Sequence, residues 1–164
     1  MSLIITKNGT QAQRVDKSTF EAEDNLQQYI FNNPESLPLY EIKEDIRLLI
    51  LAREFDTESG PIDAIGVDKE GEIYVIETKL YKNADKRFVV AQVLDYGASL
   101  WRHSDAISFI AAIDDNARLT FGVDVRSKLQ EYFAISSEET EHLLEKSRQN
   151  LNSGNFRFVV LTDK

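Results

Sequence analysis

The chain has 164 residues, 42% hydrophobic and 29% charged, which fits one globular domain and excludes long disorder, collagen-like repeats and coiled coil. Nineteen Lys and Arg against 28 Asp and Glu leave a net charge of −9, which by itself argues against a non-specific nucleic-acid binder. Without cysteine there are no disulfides, thiolate metal sites or cysteine nucleophiles; with no apolar run near the roughly 20 residues of a membrane helix and no signal pattern at the start, a cytoplasmic protein with no membrane partner is expected.

Residues 1–16 read as an arm or loose strand. Ser18-Thr19-Phe20-Glu21 has the form of a capping box, opening a helix with Phe20, Leu26, Tyr29 and Ile30 on its apolar stripe and ending before Asn33-Pro34. A linker with Pro34 and Pro38 leads to three strand-like runs, Arg47 to Phe55, Ile62 to Val67 and Glu72 to Leu80. The last two flank the polar, Gly-ended turn Asp68-Lys69-Glu70-Gly71, which suggests a hairpin. A long helix from about Ala84 to Trp101 carries Val89, Val93, Tyr96 and Leu100 at helical spacing. Ala106 to Ile113 is expected to be a buried strand, followed by a short helix at Arg126 to Phe133. Another helix, capped by Ser136-Ser137-Glu138-Glu139 and stopped near Gly154, leads to a last strand at Phe156 to Leu161. The order is α-β-β-β-α-β and then α-α-β. Tight hairpins beside a long crossover predict an α/β layered domain with a mixed sheet flanked by helices.

No phosphate-binding glycine loop, nucleophile elbow or dinucleotide fingerprint occurs. His103 and His142 have no second histidine as co-ligand, which argues against zinc. Carboxylates, lysine and backbone remain as the available chemistry.

Three polar residues interrupt otherwise apolar strands. Asp63 lies in Pro61-Ile62-Asp63-Ala64-Ile65, and Glu77 and Lys79 lie in Val75-Ile76-Glu77-Thr78-Lys79-Leu80. Glu77 and Lys79, two apart on a strand, share a face, and a hairpin would bring Asp63 near Glu77. Clustered carboxylates call for a cation, and an all-oxygen set suits a hard divalent ion that keeps waters and leans on a phosphate. A lysine beside it can orient the attacking water or stabilise phosphoryl charge. The plainer alternative is an Asp at a turn edge and a Glu–Lys pair on an exposed strand. Glu23 shares a helix side with Phe20, Leu26, Gln27 and Ile30, so it points inward and needs a partner, either a metal site or its surroundings, or a nearby Lys or Arg. Gln92 and Tyr96, four apart, stack on the next helix, where they can bond Lys79, a carboxylate or a phosphate, or simply fill the core.

Taken together, Gly60-Pro61-Ile62-Asp63, Ile76-Glu77-Thr78-Lys79 and Gln92-x-x-x-Tyr96 resemble the PD-(D/E)xK nuclease superfamily, with its restriction-endonuclease-like fold. The last element is similar to the RecB-like Gln-x-x-x-Tyr motif. The stretch Phe20 to Tyr96, about half the chain, is similar in style to the NucS-type branch. The resemblance implies one nuclease-like domain over 1–164, with an arm at 1–16, an α-β-β-β-α-β core at 17–113 and a C-terminal extension at 114–164. It implies Asp63 and Glu77 as ligands of Mg²⁺ or Mn²⁺, Lys79 as the catalytic lysine, Glu23 as an accessory acidic residue at the metal, and Gln92 with Tyr96 in support. It departs from NucS-type proteins in lacking their upstream DNA-binding and dimerising domain.

The implied activity is metal-dependent hydrolysis of phosphodiester bonds, with DNA as the expected partner in repair, recombination or defence, and a homodimer or larger complex as a possible assembly. Lys82, Lys86 and Arg87, next to Lys79, form a local basic rim suited to a phosphate backbone despite the acidic total. The competing expectation is an inactive nucleic-acid-binding or assembly module on the same fold.

Overall fold

The computed structural model describes residues 3–7, 10–15, 19–39, 46–83 and 86–163. Two N-terminal strands, β1 (Leu3–Lys7) and β2 (Thr10–Val15), pair antiparallel as a hairpin. There follow α1 (Glu23–Asn32), the strands β3 (Leu48–Phe55), β4 (Ile62–Asp68) and β5 (Ile73–Lys79), four helices α2 (Lys86–His103), α3 (Ala106–Phe121), α4 (Val125–Phe133) and α5 (Ser137–Ser153), and finally β6 (Phe156–Thr162).

The chain is an α/β protein whose four-stranded mixed sheet has the order β3-β4-β5-β6. The first three strands are antiparallel neighbours, and β6 lies parallel to β5. Continuous apolar runs such as Leu48-Leu49-Ile50-Leu51-Ala52 are buried throughout because helices cover both sheet faces. On one side Leu26 and Ile30 of α1 pack with Leu48, Ile50, Ala64, Tyr74 and Ile76. On the other, Leu49, Leu51, Ile65, Val67, Ile73 and Val75 meet residues of α2 to α5. The α2 stripe Val89, Val93, Tyr96 and Leu100 is buried as its spacing predicts.

The turn after β4 carries Gly71 at φ +77°, and a Cβ there would fall 2.6 Å from the Leu143 carbonyl oxygen of α5. Only glycine combines that backbone with that approach. The Gly71 carbonyl accepts from Ser147 Oγ at 3.1 Å and Asn150 Nδ2 at 3.0 Å, tying the β4–β5 turn to α5.

Two expectations are corrected. Residues 106–113 are not a strand: they open α3, capped by Asp105, whose carboxylate accepts from the Ile107 and Ser108 amides. Phe109, Ile110, Ile113 and Ala117 are buried at helical spacing, while Ile107 is 80% exposed, so the apolar run is one helix face plus an outlier and not a sheet interior. The strand beside β5 is instead β6, reached after all four helices, so residues 114–164 supply part of the central layers. Second, α1 starts at Glu23, later than expected, with Ala22 at its N-cap giving no side-chain bond; the capping box expected at Ser18-Thr19-Phe20-Glu21 begins on Ser18, which lies outside the described residues. Acidic Glu23 and Asp24 occupy the first turn, where the helix dipole favours them. By contrast, the box at Ser136 and Glu139 is complete in both directions, and α5 ends on Gly154.

Candidate active site

The β4–β5 register sets Ala64 opposite Ile76, and one step on it brings Asp63 to the level of Glu77. Opposed residues of an antiparallel pair lie side by side, so two carboxylates are placed together by hairpin geometry alone. Asp63 is held firmly. Its Oδ2 accepts from both the backbone amide and the hydroxyl of Thr78, each at 2.7 Å. Charge-assisted bonds of this length fix orientation as well as adding stability.

Glu77 is in a different condition. It is 0% exposed, and neither carboxylate oxygen has a hydrogen-bond partner. Among the described residues its close cation is Lys79, whose Nζ lies 3.2 Å from Oε1 as an ion-pair contact. Burial raises the Glu77 pKa to about 7, the nearby Asp63 charge adds to the rise, and Lys79 opposes it. A buried carboxylate without hydrogen bonds is costly, so its position in β5 directly after the buried Ile73-Tyr74-Val75-Ile76 requires a chemical reason.

Lys79 bridges two elements. Its Nζ donates to Glu23 Oε2 at 3.2 Å, and the Leu80 amide donates to Glu23 Oε1 at 3.4 Å. The first turn of α1 therefore clasps the end of β5. Burial works against the Lys79 charge, but its contacts with Glu23 and Glu77 outweigh that and raise its pKa, keeping the ammonium charged at neutral pH. A lysine, one of the partners open to Glu23 on sequence grounds, is thus in contact with it.

Gln92 and Tyr96 bond to each other, Gln92 Nε2 donating to Tyr96 Oη at 2.8 Å. The Tyr96 ring packs beside Gly60, three residues before Asp63, so the pair flanks the turn into β4. Gln92 Oε1 is buried without a partner. Lys82 is exposed on the single turn Tyr81–Asn83, and Arg87 is exposed in the first turn of α2. Lys86 opens α2, with its side chain outside the described residues.

Sequence reasoning overlooked Thr78. Strand alternation directs attention to positions 77 and 79 and away from the residue between them, and only the three-dimensional pairing reveals its bonds to Asp63.

Among the described residues no three His, Asp or Glu side chains gather as a ready protein cage for a metal. The donor set is instead a pair, Asp63 and Glu77, that would leave an ion several positions for water or substrate oxygen. That matches the habit of Mg²⁺. Glu77 fits such an ion: Lys79 stands beside Oε1 alone, and neither oxygen accepts a hydrogen bond.

No family model matches the chain, and neither curated proteins nor solved structures give a match. Among the described residues no helix is long and apolar enough to cross a membrane.

Proposed function

We propose that the chain is a metal-dependent nuclease that hydrolyses phosphodiester bonds, with DNA as its substrate, on a PD-(D/E)xK-type site in a restriction-endonuclease-like core. The observation that carries this reading is Glu77, a fully buried carboxylate without hydrogen bonds, placed beside Asp63 and next to a charged lysine. A purely structural acid would be satisfied by donors or replaced by an apolar residue. A buried carboxylate whose contact with Lys79 leaves Oε2 without any partner has reason to remain if it is a metal ligand.

In this reading Asp63 and Glu77 would hold Mg²⁺ or Mn²⁺. Such an ion, when bound, would supply Lewis-acid polarisation and activation of the attacking water. Thr78 fixes Asp63 so that the carboxylate does not turn away. Glu23 holds Lys79 by its ammonium, which leaves a positive charge where phosphoryl oxygens accumulate negative charge. Water adds across the P–O bond, giving a phosphomonoester and a free hydroxyl. A helix followed by three antiparallel strands and a helix supports the fold reading, although three further helices come before the strand β6 that lies parallel to the third.

The test is purified protein incubated with single-stranded, double-stranded and branched DNA in Mg²⁺, Mn²⁺ or EDTA. Cutting with metal, abolished by EDTA and by Glu77→Ala or Lys79→Ala, is the expected result. Cutting that survives either substitution would overturn the assignment. DNA binding without cutting in any metal would make the domain a non-catalytic binding module.

A further inference from the structure

The two edges of the central sheet differ. β3 shifts register against β4 between Ile50 and Ala52 and carries Glu54 at φ +48°, and irregularities of this kind keep an edge from pairing further. β6 has neither. It pairs with β5 residue for residue from Phe156 to Thr162, and among the described residues no strand lies on its outer side. It contains no proline, and its charged residue, Arg157, is bonded to Glu72 at 3.1 Å. Phe158 and Val160, two apart and so on one face, are both exposed. A straight, apolar edge without protection is the kind that pairs with another strand.

The helix over that edge is apolar on the matching side. The Phe158 ring packs against Gly97 of α2, where an added Cβ would fall 2.5 Å from it, so Gly97 marks the side of α2 turned to β6. At 3.6 residues per turn Val90, Leu94 and Trp101 lie within about 60° of arc of one another and of Gly97. All three are about half exposed. The buried stripe Val89, Val93, Tyr96 and Leu100 is about a quarter turn away, so this second stripe runs along the flank of the helix. Trp101 is fixed there by its Nε1, which donates to the Asn152 carbonyl oxygen at 3.1 Å. With Phe158 and Val160 these side chains form one uncharged strip on a chain of net charge −9, and a patch of this kind marks an interaction site.

A second copy of the chain fits the strip by symmetry. Antiparallel pairing of β6 with its own copy about Val159 sets each Phe158 opposite a Val160, matching exposed apolar residue to exposed apolar residue. A shift that set Phe158 opposite itself would leave Val160 facing Phe156, which is already buried. α2 packs on both β5 and β6. With strands about 4.8 Å apart, its axis stands about one strand spacing from the two-fold axis, and the two α2 helices come about 10 Å apart, the distance at which helices pack. Their stripes then meet. A stable interface takes about 20–30 residues from each side, which an edge strand of seven residues and the flank of an 18-residue helix approach.

We propose that two copies of the chain associate through the open edge of β6, antiparallel about Val159, into one continuous sheet with their α2 helices side by side. The irregular β3 edges at the far ends stop the assembly at two. This proposal stands apart from the nuclease reading and uses no activity as its readout.

Sedimentation equilibrium of the purified chain, at micromolar concentrations in low and high salt, should give a dimer that tightens with salt, because two copies of charge −9 meet through an uncharged strip. Leu94→Glu puts a charge into the strip from an exposed position and should weaken the dimer by about tenfold or more, with the circular dichroism spectrum unchanged. The chain has no cysteine, so a single one reports the register. Val159→Cys would face its own copy at about 4.5–5.5 Å between Cα atoms, within disulfide reach, and should cross-link on mild oxidation. Arg157→Cys would lie four residues out of line with its copy, about 13 Å away, and should not. A monomer at both salt concentrations overturns the proposal. So does a dimer that Leu94→Glu leaves at full strength, or one in which Arg157→Cys cross-links as readily as Val159→Cys. Should Val159→Cys fail to fold, the response to Leu94→Glu decides alone.

Discussion

Thr78 holds Asp63: its backbone amide and its hydroxyl both donate to the same carboxylate oxygen, each at 2.7 Å. Thr78 is buried, so the two bonds are shielded from water and are the feature that orients Asp63 toward Glu77. Thr78→Val keeps the shape and the amide bond but removes the hydroxyl. The expected cost is about 1.5–3 kcal/mol of stability, the range for a hydrogen bond to a charged group, measured by urea unfolding. Metal-dependent cutting should fall by about 10–100-fold, as when the partner of a metal-binding carboxylate is lost. Thr78→Ser should restore most of both. A Val variant with undiminished activity would show that Asp63 needs no such support.

The state of Glu77 makes stability depend on pH in a definite direction. Its folded-state pKa, raised by burial to about 7, lies above its ordinary value of 4.5, so between those values the folded protein holds a proton that the unfolded chain has released. Stability contributed by the protonated form is present below about pH 4.5 and is lost as pH rises through 7. The full loss is about 3 kcal/mol, or about 6–12 °C in Tm for a chain of this size, measured in EDTA between pH 5 and 8. Asp68, also raised by burial, contributes a slope of the same sign, so the comparison is with Glu77→Gln, which should be flatter than wild type. Adding Mg²⁺ should recover stability at pH 8, where Glu77 is ionised, and little at pH 5, and Glu77→Gln should gain much less from the ion. A wild-type slope identical to that of Glu77→Gln would show that Glu77 ionises normally.

Much of this site was readable from local signals and the rest was not, for physical reasons. Asp63, Glu77 and Lys79 stand out because polar residues break apolar strands, and the turn Asp68 to Gly71 fixes the register that brings the first two together. α5 was legible down to its cap because its capping box and terminal glycine act within a few residues. The run at 106–113 misled because a short apolar stretch suits a buried strand and a helix face equally, and the deciding signal was one aspartate, Asp105, bonding two amides. The pairing of β6 with β5 is non-local and leaves no periodic trace. Nor does the partner of Glu23 show in sequence: its lysine lies 56 residues away, and only the packing of α1 against β5 joins them.

Lys79 stands between a buried and a partly exposed carboxylate, at 3.2 Å from each, and its removal should be felt unequally across pH. In Lys79→Met the ordinary Coulombic support of Glu77 disappears, so the Glu77 pKa rises further. At pH 5, where Glu77 is protonated, the variant should lose little. At pH 8 it should lose about 1–2 kcal/mol more, less than for a fully buried pair because Lys79 is partly solvated. Glu23→Gln removes only the outer partner and should cost under about 1 kcal/mol at either pH. A loss in Lys79→Met that does not change between pH 5 and 8, read from unfolding midpoints, would mean that Lys79 serves packing and not the Glu77 charge.

The far end of the hairpin offers a test of how rigidly the site is mounted. Gly71 has φ +77°, its added Cβ would lie 2.6 Å from the Leu143 carbonyl oxygen, and its own carbonyl is bound by Ser147 and Asn150. Gly71→Ala would meet both a left-handed backbone and a carbonyl that cannot move without disturbing α5. Together these should cost about 2–4 kcal/mol by thermal or urea unfolding. Asn150→Ala leaves the backbone alone and removes the bond to Gly71 together with the acceptor of Asn155 Nδ2, costing about 1–3 kcal/mol. Since Asp63 and Glu77 are set by the register of this hairpin, loosening its anchor should lower metal affinity as well as stability. Isothermal titration with Mn²⁺ on Asn150→Ala, below its unfolding midpoint, separates the two effects. Weakened binding in the folded variant means that α5 positions the carboxylates through the turn, and unchanged binding means that the Thr78 bonds suffice.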